Sequence, residues 1–265
     1  MRIQHSIVIP AYNEAGRIAS TLEDISSYLD TPAGQRAEWE VIVVCDGCRD
    51  ATAHVAGTFK DRLPLRLLSY RNNRGKGYAV RRGVAASVGG VVAFMDADGA
   101  TPVRDLARLE KPILDDQADI VIGSRQAEHA NVVVGQSVCR RILGRAFSWH
   151  TRLALGLDLR DTQCGFKVFR GDIARTLFAT LRLDGFAFDL ELLAEARELG
   201  LRVLERGVEW RERPGSTVHP LRDGIRMLRA AWEIRSRLRS RRRLGRGYLP
   251  LSTVSAERYC DGCPI

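Results

Sequence analysis

The run Val91-Val92-Ala93-Phe94-Met95-Asp96-Ala97-Asp98 decides how the rest of the chain is read. Its five leading apolar residues are too few, and too rich in Val and Phe, for a helix; they predict a short buried strand. The strand ends in two carboxylates one residue apart, followed by Gly99 and Pro102. If the extended backbone persists, positions i and i+2 face one side, and Asp96 and Asp98 point together. Like charges at the mouth of a buried strand repel, and a divalent cation holds both ionised. Hard oxygen ligands with few other protein groups suit Mg2+ or Mn2+, whose shell is typically completed by substrate phosphates. The plainer alternative is a turn at Asp98-Gly99, with Asp96 capping the next helix. The surrounding sequence favours the metal.

Upstream, Ser6-Ile7-Val8-Ile9-Pro10 predicts a first buried strand, closed by the loop Ala11-Tyr12-Asn13-Glu14. Residues 16–28 then place Ile18, Leu22, Ile25 and Leu29 at helical spacing. Val41-Ile42-Val43-Val44-Cys45 predicts a second strand ending in Asp46-Gly47, with Asp50 capping the next helix. A third strand is expected at 65–69, a glycine-rich basic loop at Asn72-Asn73-Arg74-Gly75-Lys76-Gly77, and a helix at 78–86. Downstream, a helix at 103–114 precedes a fifth strand at 119–123. Alternating helices and all-apolar strands indicate a mainly parallel sheet covered on both faces. Ligands bind such sheets at the carboxyl ends of the strands, and Glu14, Asp46, Lys76, Asp96 and Asp98 all follow strand ends. Each alone could be a turn residue or a helix cap. Four acids on one edge need cationic partners or a ligand.

The second half is less regular. A helix is expected at 136–156, a loop entering a strand at 161–169, and a helix opening at 186–193 with Asp189 in its first turn. A strand at 201–210, a polar loop at 211–220 and a helix at 221–238 follow, and beyond 241 the chain reads as a flexible tail.

The chain has 265 residues and is 45% hydrophobic and 28% charged, ordinary for a soluble globular protein. No apolar run reaches the ~20 residues of a membrane span, and no leader peptide is visible, so the expected location is cytoplasmic. The net charge of +9 is uneven: residues 222–246 hold ten Arg against Asp223 and Glu233. Any acidic partner is met there. Met227, Ala231, Ile234 and Leu238 fall on one helical face, with Leu221, Ile225, Leu228 and Trp232 alongside. Such a basic amphipathic helix either lies on an anionic membrane surface or packs its apolar face on the domain with its Arg face solvated. A nucleic-acid partner lacks aromatic interleaving and any binding motif. The Cys-Asp-Gly-Cys runs at 45–48 and 260–263 allow a zinc reading, but their separation and the reducing cytoplasm favour free thiols.

Taken together, Ile9-Pro10-Ala11-Tyr12-Asn13-Glu14, Cys45-Asp46-Gly47-Cys48-Arg49-Asp50-Ala51-Thr52, Asn73-Arg74-Gly75-Lys76-Gly77, Asp96-Ala97-Asp98-Gly99, Gly123-Ser124-Arg125 and Asp161-Thr162-Gln163-Cys164-Gly165-Phe166-Lys167 resemble the inverting family 2 glycosyltransferases of GT-A fold. The Asp161 run and Phe188-Asp189-Leu190-Glu191-Leu192-Leu193 look most like the dolichyl-phosphate glucosyltransferase branch. The resemblance implies that Pro10, Tyr12, Glu14 and Asp46 line a nucleoside pocket, and that Lys76 and Asp96 lie beside ribose and diphosphate. It also implies that Asp98, with Asp96, holds the metal, and that Asp189 stands where the family places its general base. Arg125, and Arg211 or Arg213, are candidates for gripping anionic oxygens. Two features depart from the family: Cys45 replaces the first of a usual aspartate pair, and the membrane-spanning segments of many relatives are missing.

The expected architecture is one α/β domain of GT-A, Rossmann-like type. Residues 1–124 form its nucleotide-sugar half, 125–220 its acceptor half, 221–246 a basic amphipathic helix and 247–265 a tail. The expected activity is metal-dependent, inverting transfer of a hexose from a UDP-sugar, UDP-glucose first, to a polyprenyl phosphate at the cytoplasmic membrane face. A soluble natural-product or peptide acceptor, and a catalytically silent scaffold binding acidic partners, are the alternatives.

Overall fold

The structure is a computed structural model that describes residues 4–132, 151–212 and 220–243. In chain order the strands are β1 (His5–Ala11), β2 (Trp39–Asp46), β3 (Leu65–Tyr70), β4 (Val91–Met95), β5 (Ile120–Ser124), β6 (Asn131–Val132), β7 (Phe166–Arg170), β8 (Val203–Gly207) and β9 (Glu209–Trp210). The helices are α1 (Ile18–Leu29), α2 (Thr52–Gly57), α3 (Lys76–Ala86), α4 (Leu106–Leu114), a helical turn at 151–155 (α5), α6 (Gly171–Thr180), α7 (Phe188–Glu198) and α8 (Pro220–Arg243).

Seven strands form one sheet in the order β3-β2-β1-β4-β7-β5-β8, and β6 and β9 make a separate parallel pair. The alternation of side chains divides the core between the two faces. Ile7, Ile9, Val41, Val43, Ala93 and Met95 join Ile18, Leu22 and Leu106 on one face. Val8, Ile42, Val44, Val92 and Phe94 join Val80, Leu177, Phe188 and Ile234 on the other. Helices therefore cover both faces, as the all-apolar strands predict.

Several local expectations are corrected. β7, from the second half, lies antiparallel between β4 and β5, so the fifth strand does not follow the fourth in the sheet. The remaining ladders of the main sheet are parallel. The strand expected at 201–210 breaks at Val208, its two parts joining different sheets. Val208 itself is buried and its N–H bonds to Ser124 O. A 3-10 turn at Val103–Asp105 leads into α4. Helix α6 was not anticipated. Of the helix expected at 136–156, only 151–156 lies within the described residues, helical at 151–155, and the tail beyond 243 lies outside them.

One aromatic cluster sets the position of α7. The Phe94 ring on β4 lies 5.7 Å from Phe188, 6.1 Å from Phe169 and 6.4 Å from Phe178, centroid to centroid. Phe188 is fully buried, so its contact ties the first turn of α7 to the sheet. Asp189 is carried with it.

In α8 the apolar face packs on the domain, as one of the two readings of its sequence expects. Ala231, Ile234 and Leu238 are buried in the core. Part of the Arg face is ion-paired: Arg237 with Glu191, Arg241 with Glu195 (2.9 Å) and Arg242, itself exposed, with Glu198. Glu191 and Glu195 are fully buried, and ionised carboxylates at such depth require cations.

Candidate active site

The loops after β1 and β2 are laced together before any ligand arrives. Asn13 takes a left-handed φ of 55°, and its Oδ1 accepts the Arg49 amide at 2.9 Å. The Glu14 amide donates to Thr52 Oγ1 at 2.7 Å, and the Ala15 amide to Asp50 Oδ2 at 3.1 Å. Asp50, expected to cap α2, stands one residue before its N-cap Ala51 and accepts the Thr52 amide at 3.0 Å. The Cys48 thiol donates to Ala11 O at 3.3 Å. Cys45, Cys48 and Cys164 are free thiols. Pro10 is buried in β1, and Tyr12 stands 39% exposed.

Asp46, at the end of β2, spends its carboxylate on the glycine-rich loop. Oδ1 accepts the Arg74 amide at 2.7 Å; Oδ2 accepts the Gly75 amide at 2.8 Å and Asn73 Nδ2 at 3.0 Å. Gly47 makes this approach possible: its φ is +65°, and a Cβ there would stand 2.3 Å from the Asn73 nitrogen. The far side of the loop leans on Asp184, whose side chain pairs with Arg81 and whose carbonyl accepts the Tyr78 amide at 3.2 Å. Lys76 opens α3 rather than lying in the loop.

The carboxylate pair is brought together by a turn instead of a strand. β4 stops at Met95, and Asp98 Oδ1 accepts the Ala100 amide at 2.9 Å, a short local bond that bends the chain. Lys76 Nζ sits 2.6 Å from Asp96 Oδ1. Burial pushes the Asp98 carboxyl above the usual range, and the neighbouring Asp96 charge adds to the rise. Burial also raises Glu14. Arg17, whose Nε lies 2.6 Å from Glu14 Oε2, opposes that rise, and Asp98 and Asp96 reinforce it. Burial works against the Lys76 charge, yet Asp96, Asp189 and Asp98 outweigh it and hold its pKa above the ordinary value.

A second group of charges flanks the first. Arg125, after β5, grips Asp161 through Nε (2.7 Å) and Nη2 (2.8 Å), with the Arg125 amide on the same carboxylate at 3.0 Å. The side chain expected to clamp a phosphate is thus already committed on one edge. Nη1 carries no hydrogen bond among the described residues. Asp189 is buried and paired with Lys167 at 2.6 Å; burial raises its carboxyl, against Lys167 and Lys76. Arg211 pairs with Glu209, and its amide donates to Ala100 O at 2.9 Å, so it borders the Asp98 turn. Arg213 lies outside the described residues.

Glu14, Lys76, Asp96, Asp98 and Asp189 are therefore one electrostatic cluster, with Arg125 beside it. Asp46 serves the neighbouring loop. Arg17, Asp161, Lys167 and Asp184 had been given no role. Lys167 did carry a signal: it alternates with Phe166 and Val168 in a strand, where a charged residue must find a partner. Among the described residues no three His, Cys, Asp or Glu side chains form a closed ligand set. Asp98 and Asp96 offer instead an open, oxygen-only set with unbalanced negative charge, which fits a hard divalent cation completed by diphosphate and water.

The family model described as Glycosyl transferase family 2 matches residues 6–178. The chain belongs to glycosyltransferase family 2. As a family 2 glycosyltransferase it is 36% identical to the dolichyl-phosphate beta-glucosyltransferase of Dictyostelium discoideum, over 88% of this chain and 74% of that protein. It is 37% identical to the Drosophila melanogaster enzyme of the same name, over 88% and 78% of the two chains. Its fold resembles glucosyl-3-phosphoglycerate synthase from Mycobacterium tuberculosis, solved with Mn2+, UDP and glucosyl-3-phosphoglycerate, with a TM-score of 0.64 and 24% identity. That likeness covers 88% of this family 2 chain and 80% of the synthase.

Proposed function

We propose that this glycosyltransferase moves glucose from UDP-glucose to a polyprenyl phosphate with inversion at the anomeric carbon. The names of its relatives support the sugar and the acceptor. The observation that carries the acceptor class is the Asp189–Lys167 pair. A general base for an alcohol needs a carboxylate free to take a proton, and Asp189 is buried with one oxygen bound to an ammonium group. A phosphate monoester is already ionised at neutral pH and needs no such base.

In this reading an acceptor phosphate oxygen attacks C1 of glucose, the bond from C1 to the diphosphate breaks, and UDP leaves with the electron pair. Lys76 and the free edge of Arg125 stabilise charge on the departing diphosphate. A divalent ion, Mg2+ or Mn2+, held by Asp98 and Asp96, would neutralise the same charge. Pro10, Tyr12 and Glu14 border the nucleoside, Asp46 shapes the loop beside it, and Arg211 stands by the Asp98 turn.

The outward side of α8 supports docking on an anionic membrane face. Trp232 is 55% exposed with Arg235 over its ring at 5.5 Å. Trp232, Arg235, Ser236, Arg239, Ser240 and Arg243 line a shallow recess of about 330 Å³. Arg235, Arg239 and Arg243 have no ion-pair partner among the described residues, unlike the arginines turned toward α7. No described helix is long and apolar enough to cross a membrane.

Radiolabelled UDP-glucose offered a short polyprenyl phosphate or the matching polyprenol tests the acceptor. Label should pass to the phosphate, and Asp189→Asn should leave measurable transfer. Transfer to the free alcohol, abolished by Asp189→Asn, would instead establish an alcohol acceptor with Asp189 as its base.

A further inference from the structure

Lys167 occupies a position that strand alternation reserves for an apolar side chain. Phe169, two residues on, points to the same face and is wholly buried in the Phe94 cluster. Lys167 is itself 0% exposed. Its ammonium group lies 2.6 Å from Asp189 Oδ1, 2.7 Å from Cys164 O and 5.2 Å from the centroid of the Phe94 ring. Three donors thus meet a carboxylate, a carbonyl and an aromatic face, leaving no N–H for a substrate. The Cys164 contact ties Lys167 to the loop whose Asp161 holds Arg125 and whose Gly165 abuts Asp96. Asp189 Oδ2 carries no hydrogen bond among the described residues. Charges facing Asp189 come from three elements: Lys167 on β7, Lys76 on α3, and Asp96 after β4.

We infer that Lys167 is a positioning residue for Asp189: it binds Oδ1 and fixes the orientation of the buried carboxylate at the first turn of α7. The activity arm of this inference rests on the glucosyltransferase reading; the unfolding arm does not.

Four forms of the full chain test it: wild type, Lys167→Met, Asp189→Asn, and the double variant, in which a neutral pair replaces the ionic one. Burial already raises the Asp189 carboxyl against Lys167; without the ammonium group it rises further, so the variant loses more stability than wild type as pH climbs through that folded pKa. The unfolding midpoint of Lys167→Met should therefore drop away from wild type between pH 5 and 8, and adding Asp189→Asn should close the gap. In the activity arm, Lys167→Met at pH 6 should fall to within about twofold of Asp189→Asn and recover toward wild type at pH 8.5, with KM for UDP-glucose little changed. The double variant should be no worse than Asp189→Asn. A gap that is constant across pH, or is not closed in the double variant, overturns the pair. If all four forms lack transferase activity while the unfolding pattern holds, the pair stands and the substrate reading fails. If Lys167→Met does not fold but the double variant does, the charge coupling is demonstrated directly.

Discussion

With no ligand present, Glu14 and Asp98 both carry carboxyls raised by burial and by the charge of their neighbours. A carboxyl whose folded pKa is raised costs stability once pH exceeds that pKa, so the ligand-free protein should lose stability as pH climbs from mild acid to neutrality. Asp98→Asn removes one such charge. It should raise the unfolding midpoint at pH 7, flatten the pH dependence, and abolish the further stabilisation that Mn2+ with UDP gives wild type. Thermal melts at pH 5 and pH 7, with and without the metal, read all three; an unchanged metal response would remove Asp98 from the ligand set. Asp46 acts at the same scale by a different route. Asp46→Asn replaces an acceptor of two backbone amides with a group that can accept fewer, loosening Asn73, Arg74 and Gly75. UDP affinity should fall by about 1–3 kcal/mol, the cost of leaving such donors unmet. Titration calorimetry giving equal affinities would place the nucleoside away from this loop.

Between elements, the arginines of α8 divide into two kinds that the sequence does not distinguish. Arg237 neutralises Glu191, a wholly buried carboxylate that also accepts the amides of Arg182 (2.9 Å) and Leu183 (2.8 Å). Arg237→Ala leaves that charge uncompensated and should destabilise the fold by about 3–5 kcal/mol. Arg239→Ala, on the outward side, should move stability by less than about 0.5 kcal/mol. Chemical denaturation of the two variants is the check, and equal effects would contradict the pairing. Removing α8 outright is a poor probe of membrane docking, because it strips Ala231, Ile234 and Leu238 from the core. The helices of the first half were legible because their apolar spacing is clean, as at Ile18, Leu22 and Ile25. α6 was missed although Ile173, Ala174, Leu177 and Phe178 are buried at helical spacing. The signal for it is present, since Gly171-Asp172 punctuates the end of β7 and Asp172 is an acid in the helix's first turn.

For the molecule as a whole, the charge left outward on α8 predicts how it meets a bilayer. Wild type should bind anionic vesicles at low salt and release as ionic strength shortens the Debye length below ~8–10 Å. Arg235, Arg239 and Arg243 changed together to Ser should lose that binding, at about 1 kcal/mol per Arg, while remaining folded. Co-sedimentation that ignores both salt and substitution would leave α8 a structural helix only. The strand-end placement of Glu14, Asp46, Asp96 and Asp98 could be read from sequence because apolar runs end abruptly at those residues. Their partners could not. Lys167 meets Asp189 across 22 positions, Arg125 meets Asp161 across 36, and Arg237 meets Glu191 across 46; only the folded chain creates those distances. The insertion of β7 has a consequence for biosynthesis. β5 makes its ladders with β7 and β8, not with β4. When residue 124 leaves the ribosome, β5 has neither partner, and it waits for residues 166–170. At ~5–20 residues per second that delay is about 2–10 s, during which an unpaired strand edge with the apolar run Ile120-Val121-Ile122 is open to chaperones or to other nascent chains. A gene split between 124 and 125 would therefore separate β5 from both its neighbours, and neither product would carry a finished sheet.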